Sequence, residues 1–135
     1  MKIVYLSPAA GLGGAERCLL DMMAAVRKAD SRVDIHLLTS VDGPLVERAR
    51  QLDVASVVLP MPSALIEMGD SAFQGSGRHQ ALWEFGRRGI SGGWSIWRYA
   101  QLLRKTLARL QPNLIHSNGI KFHLLTSLAK LPSVP

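Results

Sequence analysis

Two short polar, glycine-bearing stretches hold most of the chemistry open to this sequence. The first is Pro8-Ala9-Ala10-Gly11-Leu12-Gly13-Gly14-Ala15-Glu16, and the second is His116-Ser117-Asn118-Gly119-Ile120-Lys121. In the first, the glycines at positions 11, 13 and 14 leave the backbone without Cβ atoms, so a ligand can approach the main chain closely. Where such a turn opens a helix, the first-turn amides lack carbonyl partners and carry the positive end of the helix dipole. An anion or a sugar hydroxyl is the natural guest. In the second, Ser117 and Asn118 offer short hydrogen-bonding side chains and Lys121 a cation suited to a phosphate or carboxylate. The candidate substrate-binding residues are therefore Gly13, Gly14, Glu16, Ser117, Asn118 and Lys121.

Each assignment has a plainer competitor. Glu16 in the first turn of a helix is stabilised by the dipole without any ligand, and Asn118 suits the cap of a following helix. Lys121 fits an exposed helix position equally well. A dinucleotide fingerprint starting at Gly11 needs glycine at position 16, where Glu16 stands, and the Gly-Lys-Ser/Thr of a phosphate-cradling P-loop is missing. Metal binding is not expected, because His116 and His123 have no carboxylate or cysteine at ligand spacing.

The elements that must position these stretches follow from periodicity. Lys2-Ile3-Val4-Tyr5-Leu6 is a short apolar strand stopped by Pro8. Ala15, Leu19, Met22, Met23 and Val26 recur at helical spacing after the glycines. Val33 to Thr39 reads as a second strand, with His36 inside it as a satisfied or half-exposed residue. Pro44 opens a short helix with Leu45, Ala49 and Leu52 on its apolar face, and Val54 to Leu59 is a third strand ended by Pro60 and Pro62. This βαβαβ order predicts parallel strands joined by right-handed crossovers.

From Met61 to Gly93 the periodicity fails, and seven glycines interrupt the segment, so it reads as a long flexible loop. Within it, Gln80 to Phe85 is expected as a short helical piece whose aromatics, flanked by Arg78, Arg87 and Arg88, suit a lipid interface or a cover over a cleft. A long helix is expected over Ser95–Leu110 after Gly92-Gly93, burying Ile96, Ala100, Leu103, Leu107 and Leu110. Asn113 to His116 is a fourth strand, and Ile120 to Ala129 a final helix. Ligands of open α/β sheets bind outside the carboxyl ends of the strands, so the turns after strands one and four should share one rim.

Composition excludes several classes. A length of 135 residues with 47% hydrophobic content fits one globular domain and not a disordered chain. No apolar run approaches a membrane span, and the N-terminus lacks the apolar core of a signal peptide, which makes the cytoplasm the expected compartment. The single cysteine, Cys18, reads as a small packed side chain. The net charge of +6 is uneven: residues 1–77 carry seven Lys/Arg against nine Asp/Glu, whereas residues 78–135 carry nine against one. That basic half makes an anionic membrane surface at the cytoplasmic face an expected partner. Nucleic acid is not expected, for no binding motif accompanies the charge.

Gly13-Gly14-Ala15-Glu16 resembles the first loop of retaining family-four glycosyltransferases of the GT-B fold. Pro112-Asn113-Leu114-Ile115-His116-Ser117-Asn118-Gly119 is similar to the fourth-strand motif of the same family, and the βαβαβ order lies between them. The resemblance implies a Rossmann-like, doubly wound parallel sheet in a three-layer αβα sandwich: the N-terminal, acceptor-side half of a GT-B enzyme. It implies a nucleotide-diphosphate sugar as donor substrate, a glycan, lipid-linked or small-molecule acceptor, and no permanently bound cofactor. The family's catalytic histidine and its Glu-x(7)-Glu element belong to segments beyond Pro135, and neither His116 nor His123 matches that histidine's strand. A chain of this extent is expected to be inactive alone, with the C-terminal donor domain supplied in the same or another chain. Two other readings are a non-catalytic partner subunit of a split transferase and a small nucleotide- or flavin-binding module.

Overall fold

The computed structural model describes residues 1–66 and 90–129. The strands are β1 Lys2–Ser7, β2 Asp34–Thr39, β3 Ala55–Val58 and β4 Leu114–Ser117. The helices are α1 Gly14–Ala29, α2 Pro44–Gln51, α3 Ser63–Ile66, α4 Ile90–Leu110 and α5 Ile120–Leu128. All pairings are parallel, and the sheet order is β3-β2-β1-β4. The chain lays three strands in one direction across the sheet and then returns beside β1. This reversal is the switch point of a doubly wound, Rossmann-like fold.

The apolar runs explain the layering. β1 and β2 are central strands covered on both faces, so they read as nearly unbroken hydrophobic sequence. One set of their side chains, including Ile3, Tyr5, Ile35 and Leu37, packs with Leu19 and Met23 of α1 and Leu45, Val46 and Ala49 of α2. The alternate set, Val4, Leu6 and Leu38, packs with Leu65 of α3, with Ile96, Ala100, Leu103 and Leu107 of α4, and with Phe122 and Leu125 of α5. The three-layer αβα arrangement is thus the direct result of the two-residue strand period.

Four expectations are corrected. Helix α4 begins at Ile90, so Gly92 and Gly93 lie inside it instead of before a start at Ser95. Glycine costs about 1 kcal/mol per helical position relative to alanine, a penalty the buried face of a 21-residue helix outweighs. The segment read as loop from Met61 also contains α3. Cys18 is exposed: at about 100° per residue it is turned away from the stripe that Leu19 and Met23 bury. Met22 and Ala15 are likewise exposed, so α1 buries a narrower stripe than its apolar residues suggest. The short piece expected over Gln80 to Phe85, with its flanking arginines, lies outside the described residues.

His36 is half-buried on β2, with Nε2 3.0 Å from Asp34 Oδ1, in keeping with a structural role. Among the described residues no helix is long and apolar enough to cross a membrane.

Candidate functional site

The two glycine-bearing turns lie side by side at the carboxyl ends of β1 and β4. Leu6 pairs with Ser117 in the sheet register, and the Asn118 N–H donates to the Leu6 carbonyl at 2.7 Å. Gly119 carries the turn with φ +111°, and a Cβ there would stand 3.2 Å from Pro8 Cγ. Glycine is required at 119 on both counts, the left-handed backbone and the close approach of the neighbouring turn.

On its other side the β1–α1 turn is locked to the β2–α2 turn. Ser40 is buried and its hydroxyl donates to the Pro8 carbonyl. The Leu45 N–H donates to the Ala10 carbonyl at 3.0 Å, and a Cβ on Gly43 would come within 2.8 Å of that same oxygen. The Ser7 hydroxyl donates to the Ala9 carbonyl at 2.9 Å. Ala10 is buried, so the turn is pinned at Pro8 and Ala10 while its glycine half projects outward.

That half is open. Added Cβ atoms at Gly11 or Gly14 would meet nothing within 4 Å. Gly13 is the N-cap of α1 and makes no side-chain cap. The amides of Gly14, Ala15 and Glu16 donate to no acceptor among the described residues, whereas Arg17 N–H already bonds to the Gly13 carbonyl at 3.0 Å. Three donors and the helix dipole therefore face an uncrowded space. Gly13 differs from Gly14: a Cβ there would lie 2.7 Å from Glu16 Oε2. The Glu16 carboxylate folds back over the helix start, as a favourable charge at a positive dipole end does.

On the β4 side, the Ser117 hydroxyl and His123 Nδ1 are 2.9 Å apart, a hydrogen bond whose direction follows the imidazole tautomer. Sequence reading gave His123 no role; the signal was its place one turn into a helix that starts just after the strand carrying Ser117. The cap of α5 is Gly119, without a side-chain cap bond, which corrects the reading of Asn118 as the capping residue. Asn118 instead uses its backbone N–H to join the sheet, and its half-buried side chain makes no hydrogen bond among the described residues. Lys121 Nζ reaches the Ile66 carbonyl at 3.4 Å, tying α5 to α3. Ser40 and Gly43, which hold the first turn, were legible only as parts of an ordinary turn.

The fold and this rim define a Rossmann-like domain with a polar, main-chain-lined margin at its switch point. Among solved structures, the chain is similar to two crystal structures of HepE (Alr3699) from Anabaena, one in complex with UDP and glucose and one with UDP-glucose. Identity is 18% in both, with TM-scores of 0.52 and 0.51, and 98% of this chain is covered. The match spans 28% of the length of the HepE chain. No protein-family model and no curated protein matches the sequence.

Proposed function

We propose that this chain is the acceptor-side, N-terminal half of a retaining, nucleotide-sugar-dependent glycosyltransferase of the GT-B architecture. It works with a donor-side domain carried in the same or another chain. The observation that carries the reading is the meeting of the two turns at Pro8, with open space before Gly11 and Gly14 and three unpartnered amides at the start of α1. The likeness to a protein crystallised with UDP-glucose supports it.

In glycosyl transfer an acceptor hydroxyl oxygen bonds to the anomeric carbon while the bond from that carbon to the diphosphate breaks, and the hydroxyl proton passes to the departing diphosphate. The sugar passes through an oxocarbenium-like state, and negative charge grows on the departing diphosphate. Preorganised amides and a helix dipole stabilise such charge without reorganising. Gly13 and Gly14 admit the donor or acceptor to the main chain, and Ser117 and Asn118 hydrogen-bond acceptor hydroxyls. His123 holds the Ser117 hydroxyl in place. Glu16 lies beside the same opening, where its carboxylate can accept from a sugar hydroxyl. Lys121, which reaches the Ile66 carbonyl, joins by turning to a phosphate or carboxylate, with which its ammonium makes the stronger, charge-assisted bond.

The test is Gly14→Val in the chain combined with its donor-side domain. The substitution fills empty space at an exposed helix start, so stability should shift by less than about 0.5 kcal/mol, while transfer falls by about 10²-fold because the ligand is displaced from the amides. Unchanged turnover in a folded variant sinks the assignment.

A further inference from the structure

Helix α4 has a second face that no other described element buries. Its inner side buries Ile96, Tyr99, Ala100, Leu103 and Leu107. Stepping about 100° per residue, the opposite side carries Trp94, Trp97, Arg98, Leu102, Lys105 and Arg109, all of them exposed. Trp94 and Trp97 are 59% and 52% exposed. Their rings stack on one another with centroids 5.0 Å apart and planes 21° from parallel.

Two tryptophans rarely stand in water without reason, since each ring carries one of the largest apolar areas of any side chain. The face also lacks any acid: no Asp or Glu occurs after Glu84, so its cations have no carboxylate neighbour along the helix. Indole at one end with arginine and lysine along the row is the composition that settles at a membrane–water interface, rings among head groups and cations on lipid phosphates. The mixed apolar and basic surface has a poor match in a free anion or a purely polar partner. Because the indoles lie face to face, no base can insert between them, and stacking of a nucleobase on an outer ring face is an outcome that the test below separates.

We propose that the outer face of α4 docks on an anionic phospholipid surface, lying on the membrane without crossing it. The proposal stands apart from the sugar-transfer reading, because none of these residues belongs to the rim formed by the β1 and β4 turns.

The test is co-sedimentation of the 135-residue chain with vesicles of phosphatidylcholine alone or mixed with phosphatidylglycerol. A Trp83→Phe background confines tryptophan emission to Trp94 and Trp97. Binding should be at least about ten-fold tighter to the anionic vesicles, with a blue shift of the emission on binding. Arg98→Gln and Lys105→Gln should each weaken binding about five-fold. Trp94→Ala with Trp97→Ala should weaken it about ten-fold or more while keeping the preference for anionic lipid. Arg48→Gln, on α2 behind the other face of the sheet, should leave binding unchanged.

Absence of vesicle binding overturns the proposal, and so does an unshifted emission. Equal losses from Arg48→Gln and Arg98→Gln overturn it too, since net charge and not this face would then be responsible. A single-stranded oligonucleotide that strips the protein from vesicles at equal charge concentration also rejects it. Circular dichroism of each variant separates lost binding from lost folding; the Arg98 and Lys105 variants, which alter only exposed side chains, carry the decision if the double tryptophan variant does not fold.

Discussion

The two margins of the sheet spend their polar groups in opposite ways. At the amino-terminal margin, side chains are consumed by structure. Arg27 donates to the carbonyls of Ser31, Val33 and Asp53 at 2.9, 2.8 and 2.8 Å, and Arg32 pairs with Asp30 at 3.0 Å. Asn113 Oδ1 accepts from Lys2 N–H at 2.7 Å, joining the starts of β4 and β1. A groove of about 560 Å³ lies here, lined by Arg27, Arg32, Arg50, Asp34 and Asp53. Its concavity is misleading as a guide to chemistry, for two of its three arginines are already committed. At the carboxyl margin it is the main chain, at the start of α1, that has donors to spare. A cleft is made functional by unspent hydrogen-bonding capacity more than by volume.

Gly119→Val should break the carboxyl margin most severely. It forces a β-branched residue to φ +111° and drives its Cβ toward Pro8, which should cost about 3 kcal/mol or more in urea unfolding and displace both turns together. Arg27→Ala is the matched perturbation of the other margin. It removes three charge-assisted bonds from a half-buried guanidinium, for an expected loss of about 2 kcal/mol. Amide chemical shifts of Gly11, Gly13 and Gly14 should stay unchanged in that variant; if they move, the margins are coupled and the contrast fails.

Tyr99→Phe probes the tie between α4 and the end of β3. The buried hydroxyl donates to the Leu59 carbonyl at 2.9 Å, so its removal should cost about 1 kcal/mol at neutral pH. Burial also pushes the Tyr99 phenol well above its ordinary value of 10.0. A group whose folded pKa is raised contributes its stability below the unfolded value and loses it as pH rises beyond that point. Wild-type stability should therefore decline above about pH 10, and Tyr99→Phe should flatten that decline, leaving the smaller slope due to Tyr5, whose phenol burial also raises.

Much of the architecture was legible because it rests on period alone. The apolar runs of β1 and β2 and the three-four spacing of Ile96, Ala100, Leu103 and Leu107 mark their elements without reference to the rest of the chain. What period cannot show is where a helix continues against local preference, as α4 does through Gly92 and Gly93. It is equally blind to whether Asn118 or Gly119 caps the last helix, since that follows from the left-handed backbone at Gly119 and from the Asn118 N–H joining the Leu6 carbonyl of a neighbouring strand. The site was half legible. Its glycines stood out as punctuation, but the Ser40 and Gly43 contacts that pin the first turn, and the Ser117–His123 pair, depend on which strands become neighbours.

The smallest expected effect sharpens the description of the amino-terminal margin. The Asp34 carboxyl is held below its ordinary value of 3.8, chiefly by its contact with His36, with desolvation opposing it and Lys2 adding a smaller pull in the same direction as His36. Because the folded pKa is depressed, the associated stability is present above the unfolded value and drains away as pH falls through the folded one. The side chain is 53% exposed, so solvent screening limits the contribution to under about 0.5 kcal/mol. Asp34→Asn should thus lower the urea midpoint slightly near pH 5 and not at all near pH 2. An equal deficit at both pH values assigns the effect to packing and removes the Asp34 ion pairs from any role in stability.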